Sequence, residues 1–263
     1  MTDQSVATRW CIRSMARALC LLTAGLTLVG AASDSRAVAD PFPGVDARAF
    51  CEDLGATWDE ARGVCGRSIV NARQITVQLS AEYPEGLLDD RTAGAPLKEF
   101  VREFFTRFGH LDDGLVRDGQ ANLTYQTFEH APGIRSVVFR IFWYLGGAHP
   151  NDEITTFTFD LQRGRQLALA DLFCRGIDPL TALPPLVRPY VKSAVTQGID
   201  LAEFDPGHRY NYTDDYRAWY LDGPDLVLAM PAARSGPVPA GQWQPHIPLA
   251  ELNAILRDGN CAV

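Results

Sequence analysis

Ser136-Val137-Val138-Phe139-Arg140-Ile141-Phe142-Trp143-Tyr144, then Gly146-Gly147-Ala148-His149-Pro150, then Glu153-Ile154-Thr155-Thr156-Phe157-Thr158-Phe159-Asp160 carries the strongest fold signal in the chain. Both outer runs are rich in β-branched and aromatic residues, which suit a pleated, half-buried surface. The segment between them holds two glycines and a proline, so the stretch reads as a hairpin, or as two sheet strands joined by a short loop. Gly146 and Gly147 supply positive φ or a close backbone approach, and Pro150 stiffens the exit.

Working outward, Gln74 to Ser80 alternates polar and apolar, the pattern of a half-buried strand, and Tyr83-Pro84-Glu85-Gly86 ends it. Leu97, Phe100, Val101, Phe104, Phe105 and Phe108 recur at spacings of three and four, which predicts an amphipathic helix with Pro96 near its first turn and Gly109 after its end. Its aromatic stripe reads as core rather than as a ligand groove. Residues 112–119 read as a loop, Asn122 to Glu129 as a strand, Ala131-Pro132-Gly133 and Arg163-Gly164 as turns, and 169–174 as one helical turn with Leu172 and Phe173 inward. Thr181 to Thr196 reads as a helix, with Pro184 and Pro185 in its opening turn and Pro189 kinking it or delaying its start. Arg217 to Leu221 and Leu226 to Met230 form a hairpin around Asp222-Gly223-Pro224-Asp225, and Pro248 to Leu256 a last short helix. No regular β-α-β alternation is present. The fold class is therefore α+β, with a largely antiparallel sheet packed against helices.

The N-terminus reads as a secretory signal: Arg9, Arg13 and Arg17, an apolar run from Ala18 to Ala32, then Arg36-Ala37-Val38-Ala39. Cleavage is expected after Ala39, which makes 1–39 the signal peptide. The apolar run, about 15 residues, is shorter than the ~20 that span a bilayer, so no stable membrane anchor is expected after cleavage. The chain carries 24 basic and 32 acidic residues; residues 1–39 hold four of the first and two of the second, which leaves 20 against 30, a net charge of −10. Such a balance argues against nucleic acid and anionic membrane as partners and would suit a basic one. Four cysteines remain, Cys51, Cys65, Cys174 and Cys261. An even count in an exported chain implies disulfides, with three connectivities open. Cys51–Cys65 would close a short loop holding Gly55 and Gly63, and Cys174–Cys261 would then pin the tail to the middle of the chain. No C-x-x-C pair or common zinc spacing occurs, so neither metal nor cofactor is expected.

Several motifs carry a family resemblance. They are Phe50-Cys51-Glu52-Asp53-Leu54 with Cys65, Tyr83-Pro84, Gly146-Gly147-Ala148-His149-Pro150, Phe157-Thr158-Phe159-Asp160, Leu167-Ala168-Leu169-Ala170-Asp171-Leu172-Phe173, and the closing Ile247-Pro248-Leu249. In this order they resemble the secreted immunogenic proteins of mycobacteria, which share a domain with the extracellular part of lysozyme-sensing anti-sigma factors. The resemblance implies export, a local disulfide near the mature N-terminus and an α+β fold whose C-terminal half is β-grasp-like. That divides the mature chain into 40–135, an N-terminal α+β part with the cystine loop, and 136–263, a C-terminal β-grasp-like domain with the Gly-Gly-Ala-His-Pro turn. It also implies a noncatalytic protein that binds at the cell envelope or outside the cell, to an unknown protein or cell-wall partner such as lysozyme.

Two places could carry chemistry. His149, beside Asp152 and Glu153, could act as a base, but it reads better as a turn residue bonded to backbone. Some members of the wider family have been proposed to be esterases. The alternative reading is thus a weak esterase or cell-wall hydrolase using His149, Ser136 and Asp152, although no G-x-S-x-G elbow exists. The second place is the loop at 205–215 with Tyr216, where His208, Tyr210, Tyr212, Asp214 and Asp215 could form a recognition patch, since tyrosines make rigid amphipathic contacts.

Overall fold

The computed structural model describes residues 46–111, 114–194 (backbone alone for 191–194), 216–229, 243–257 and 261. The expected signal segment and its cleavage point, Asp112-Asp113 and the Tyr-rich loop with His208, Tyr210, Tyr212, Asp214 and Asp215 lie outside the described residues.

The decisive stretch is a hairpin. Its strands, β5 (Ile134–Tyr144) and β6 (Asn151–Asp160), pair antiparallel from Ile134↔Asp160 to Trp143↔Asn151. They sit inside a seven-stranded sheet that also holds β1 (Thr57–Asp59), β2 (Val64–Val70), β3 (Thr76–Ala81), β4 (Gly119–Ala131) and β7 (Arg165–Gln166). The strands lie in chain order, and every pairing is antiparallel except the parallel β3–β4. A parallel pair needs a crossover. Here α2 (Glu85–Leu88) and α3 (Gly94–Phe108) supply it. The sheet runs through position 135/136 without a break, because β4 and β5 hydrogen-bond along most of their length.

β5 reads as almost continuously apolar because it is buried on both faces. Val137, Phe139, Ile141 and Trp143 face the α3 side, in a core with Leu97, Val101, Phe104, Phe105 and Phe108. The Phe100 and Phe139 rings lie 4.8 Å apart, and Phe108 meets Trp143 at 5.7 Å. The aromatic stripe of α3 is thus core. Cys51, in α1 (Ala47–Asp53), bonds to Cys65 in β2 at the edge of this core. The sequence reading had no helix or strands in that cystine loop; the bridge, across a sequence separation of 14, joins α1 to β2 with β1 between them.

On the opposite face Ser136 and Val138 meet a small antiparallel sheet of β8 (Trp219–Asp222), β9 (Asp225–Leu228) and β10 (His246–Pro248), in the order β10-β9-β8. Val138 and Ile154 pack there with Ala218, Tyr220, Val227 and Ala229. An edge strand leaves backbone groups unpaired. β8 answers this by donating its Trp219 amide to Thr156 Oγ1 (2.9 Å) and its Leu221 amide to Ser136 Oγ (3.1 Å). The β8–β9 turn is held from β4 as well: Gly223 N donates to the Glu129 carbonyl at 3.2 Å, and His130 Nδ1 donates to the Gly223 carbonyl.

Two elements differ from the sequence reading. Helix α4 spans Pro179–Ala194, so Pro184 and Pro185 lie in its interior rather than its opening turn, as does Pro189, which does not delay its start. Each removes an i→i−4 bond. Burial of Leu183 and Val187 in a cluster with Phe173, Leu226, Leu228 and Ile247 offsets this, as does the start fixed by Asp178, whose carboxylate takes the Leu180 amide at 3.1 Å and the Thr181 hydroxyl at 2.9 Å. The last apolar face forms a 3-10 turn (Leu249–Leu252), not a longer helix; Leu252 is buried, with Ile255 and Leu256 packed beside it.

Candidate functional site

His149 lies exposed in the bend after Tyr144, and its Nδ1–H donates to the Pro150 carbonyl at 2.9 Å. Gly146 takes φ +85°, the left-handed region that favours glycine, whereas Gly147 has ordinary φ, and a Cβ there would make only ordinary contact with the His149 carbonyl oxygen at 3.9 Å. Glu153 is engaged by Arg107 at 2.7 Å, and that guanidinium covers the Phe108 and Trp143 rings at 4.9 and 4.8 Å. Asp152 stands on β6 opposite Phe142, which is six residues, or about 20 Å, along β5 from Ser136. Ser136 is 1% exposed, and its hydroxyl is shared between the Leu221 amide and Thr158 Oγ1, each at 3.1 Å. The structure therefore does not bring Ser136 together with His149 and Asp152; they occupy opposite ends of the hairpin.

A cleft of about 570 Å³ opens instead at the other end of β5. Three segments wall it: the β4–β5 turn with His130, the β6–β7 turn with Asp160, Arg163 and Arg165, and the 3-10 turn Leu169–Leu172 with Asp171. Leu249 and the tail residues Leu256 and Arg257 close the far side. Gly133, at φ +85°, lets the first two turns lie together: its carbonyl accepts the Leu161 amide at 2.8 Å, and a Cβ there would come within 2.5 Å of Gln162. The tail is held by an antiparallel bridge. Cys174 N donates to Ile255 O at 2.8 Å and Arg257 N to Leu172 O at 2.9 Å, while the Cys174–Cys261 disulfide ties the chain just beyond.

Inside the cleft the charges are ordered. Asp160, its side chain 3% exposed, accepts the Arg163 amide at 2.9 Å and Arg163 Nη1 at 2.8 Å. Burial alone would raise its carboxyl, but the two hydrogen bonds from Arg163 and the charges of Arg163 and Arg165 outweigh it and hold the group below the ordinary carboxylate value. Asp171 accepts the Ala168 amide at 2.9 Å on one oxygen and Arg165 Nη1 at 3.3 Å on the other. Both acids are thus spent on positioning arginines and the 3-10 turn. No serine, threonine or cysteine stands among the described lining residues, and among the described residues no group of three or more His, Cys, Asp or Glu could hold a metal. No helix among the described residues is long and apolar enough to cross a membrane.

Sequence reasoning missed this cleft as a site. Its acids lie in two of the stretches that carry the resemblance, Phe157–Asp160 and Leu167–Phe173, and an Asp followed by Arg three residues on (Asp160, Arg163) at a turn was the available signal.

Comparison with known proteins fits this architecture. No family model matches the chain. It is 25% identical over 215 residues to "Esterase Rv3036c" of Mycobacterium tuberculosis, covering 78% of this chain and 91% of that protein. Its fold is similar to two crystal structures. One is a DUF3298 family protein (PA4972) of Pseudomonas aeruginosa, with TM-score 0.50, 15% identity, and 74% of this chain and 94% of that one covered. The other is a DUF3298 member (BF2082) of Bacteroides fragilis, with TM-score 0.53, 16% identity, and coverage of 74% and 91%. These likenesses support the α+β fold with its mostly antiparallel sheet, and the two cysteine pairs stand at disulfide distance.

Proposed function

We propose that this chain is an exported, noncatalytic binding protein that works at the cell envelope or outside the cell. The observation that supports it best is the cleft, whose lining combines the fixed ion pairs Arg163–Asp160 and Arg165–Asp171 with apolar side chains, the composition of a preformed ligand site. Export rests on the N-terminal signal pattern and on two disulfides in one small chain. The β-grasp-like reading of the C-terminal half, the likeness to lysozyme-sensing domains and a basic protein partner belong to the same proposal; the acidic net charge supports the last by electrostatic steering. Calorimetry of the purified protein against envelope extract and against lysozyme at low salt tests it. Saturable, salt-sensitive heat is expected from at least one of the two, and silence from both would sink the proposal.

A second reading, a weak esterase, is favoured by the name of the mycobacterial relative. It requires hydrolysis of a short p-nitrophenyl ester that disappears in His149→Ala while the fold survives. Turnover of that kind would replace the binding reading.

A further inference from the structure

We infer that the cleft takes an anionic amphiphile, a ligand with one carboxylate or phosphate head group and an apolar chain. The inference rests on the binding reading above and names its ligand class.

Arginines supply the partners for the head group. The cleft holds Arg163, Arg165 and Arg257 against Asp160 and Asp171, a surplus of one positive charge among its arginines and aspartates, on a chain whose net charge is −8. A local positive site on an acidic protein, walled by low-dielectric side chains, concentrates anions there. The acids do not compete for the ligand's place, because both oxygens of each are already hydrogen-bonded. Arg165 spends one of its five N–H donors on Asp171. The Arg257 guanidinium, on an exposed side chain, has no partner among the described residues, while its backbone is fixed to Leu172. A guanidinium fork held by its backbone matches a carboxylate or phosphate bidentately.

Ile134, Leu167, Leu172, Leu221, Leu249 and Leu256 line the same cleft and supply apolar contact for the chain. The volume of about 570 Å³ lies within the range of small-molecule sites. A purely polar anion would leave those apolar side chains facing water, and a purely apolar ligand would cover the Arg257 guanidinium without a counter-charge.

The test is calorimetry of the purified protein with octanoate, octyl phosphate and octyl glucoside, three soluble ligands of equal chain length. One-to-one binding is expected for octanoate or octyl phosphate, weakening as salt rises, with octyl glucoside about tenfold weaker or worse. Which anion wins distinguishes a fatty-acid source from a phospholipid-like one. Arg257→Ala, an exposed substitution that leaves the unfolding midpoint unchanged, should weaken the anion about tenfold and leave octyl glucoside unaffected. Equal binding of octyl glucoside and octanoate, or an unaffected Arg257→Ala, overturns the inference. If neither anion binds while envelope extract or lysozyme still gives heat, the ligand class is wrong and the binding reading stands. If all of these are silent, both fall.

Discussion

Replacing Ser136 with alanine separates the structural from the chemical account of this residue. Ser136, Thr158 and Leu221 are 1%, 2% and 3% exposed, so no water reaches the groups the hydroxyl serves. Ser136→Ala removes the acceptor of the Leu221 amide and the partner of Thr158 Oγ1, both at 3.1 Å. A buried N–H left without a partner costs ~1–3 kcal/mol, and the small cavity adds little because only one oxygen is lost. Taking ~2 kcal/mol, and ~2–4 °C per kcal/mol for a chain of this size, the midpoint should fall by about 4–8 °C. Because the bond joins β5 to the edge of β8, the loss should also loosen the small sheet, read as faster hydrogen exchange at Trp219 and Leu221. Urea unfolding and scanning calorimetry measure the first effect, and turnover of a p-nitrophenyl ester is followed in parallel. Any turnover should be unchanged in the folded variant. An unperturbed midpoint together with abolished turnover would refute the reasoning and make Ser136 a nucleophile.

Three other outcomes follow from the same structure. In the chain-entropy relation, loops of 87 and 14 residues correspond to ~4.6 and ~3 kcal/mol, so Cys174→Ser/Cys261→Ser should destabilise urea unfolding more than Cys51→Ser/Cys65→Ser, and only the former should weaken ligand binding in the cleft. The Asp160 carboxyl is held below its ordinary value, so its contribution is present above the unfolded value near ~3.9 and is lost as pH falls through the lower folded value; Asp160→Asn should flatten that acid limb in unfolding midpoints measured from pH 6 to 2. Gly94→Ala would put a Cβ 2.2 Å from the Leu88 carbonyl oxygen, so the α2–α3 junction must shift, at a cost of ~1–3 kcal/mol in urea unfolding.

The central hairpin was legible because its two strands are adjacent in sequence and buried on both faces, which writes apolar residues at every position from Val137 to Phe139. Helix α3 was legible for the complementary reason: one face is buried, so Leu97, Val101, Phe104 and Phe108 repeat at helical spacing. The interior prolines of α4 were misplaced because tertiary burial of Leu183 and Val187 outweighs local propensity. The cleft was not legible. His130 and Arg257 carried no reading, Asp160 closed a strand and Asp171 lay in a helical turn; only the register of β4 through β7 and the bridge between Phe173 and Leu256 bring them to one place. Ser136 shows the converse. Sequence placed it on the strand leading to His149, but strand geometry carries the two apart rather than together.

The most direct test of the account is a chemical-shift titration of the isotope-labelled protein with octanoate or octyl phosphate. Perturbations are expected only at amides near 130–134, 160–172 and 249–257, saturating at one equivalent. Perturbations centred on the bend at 146–153 would contradict it, as would none at saturating ligand.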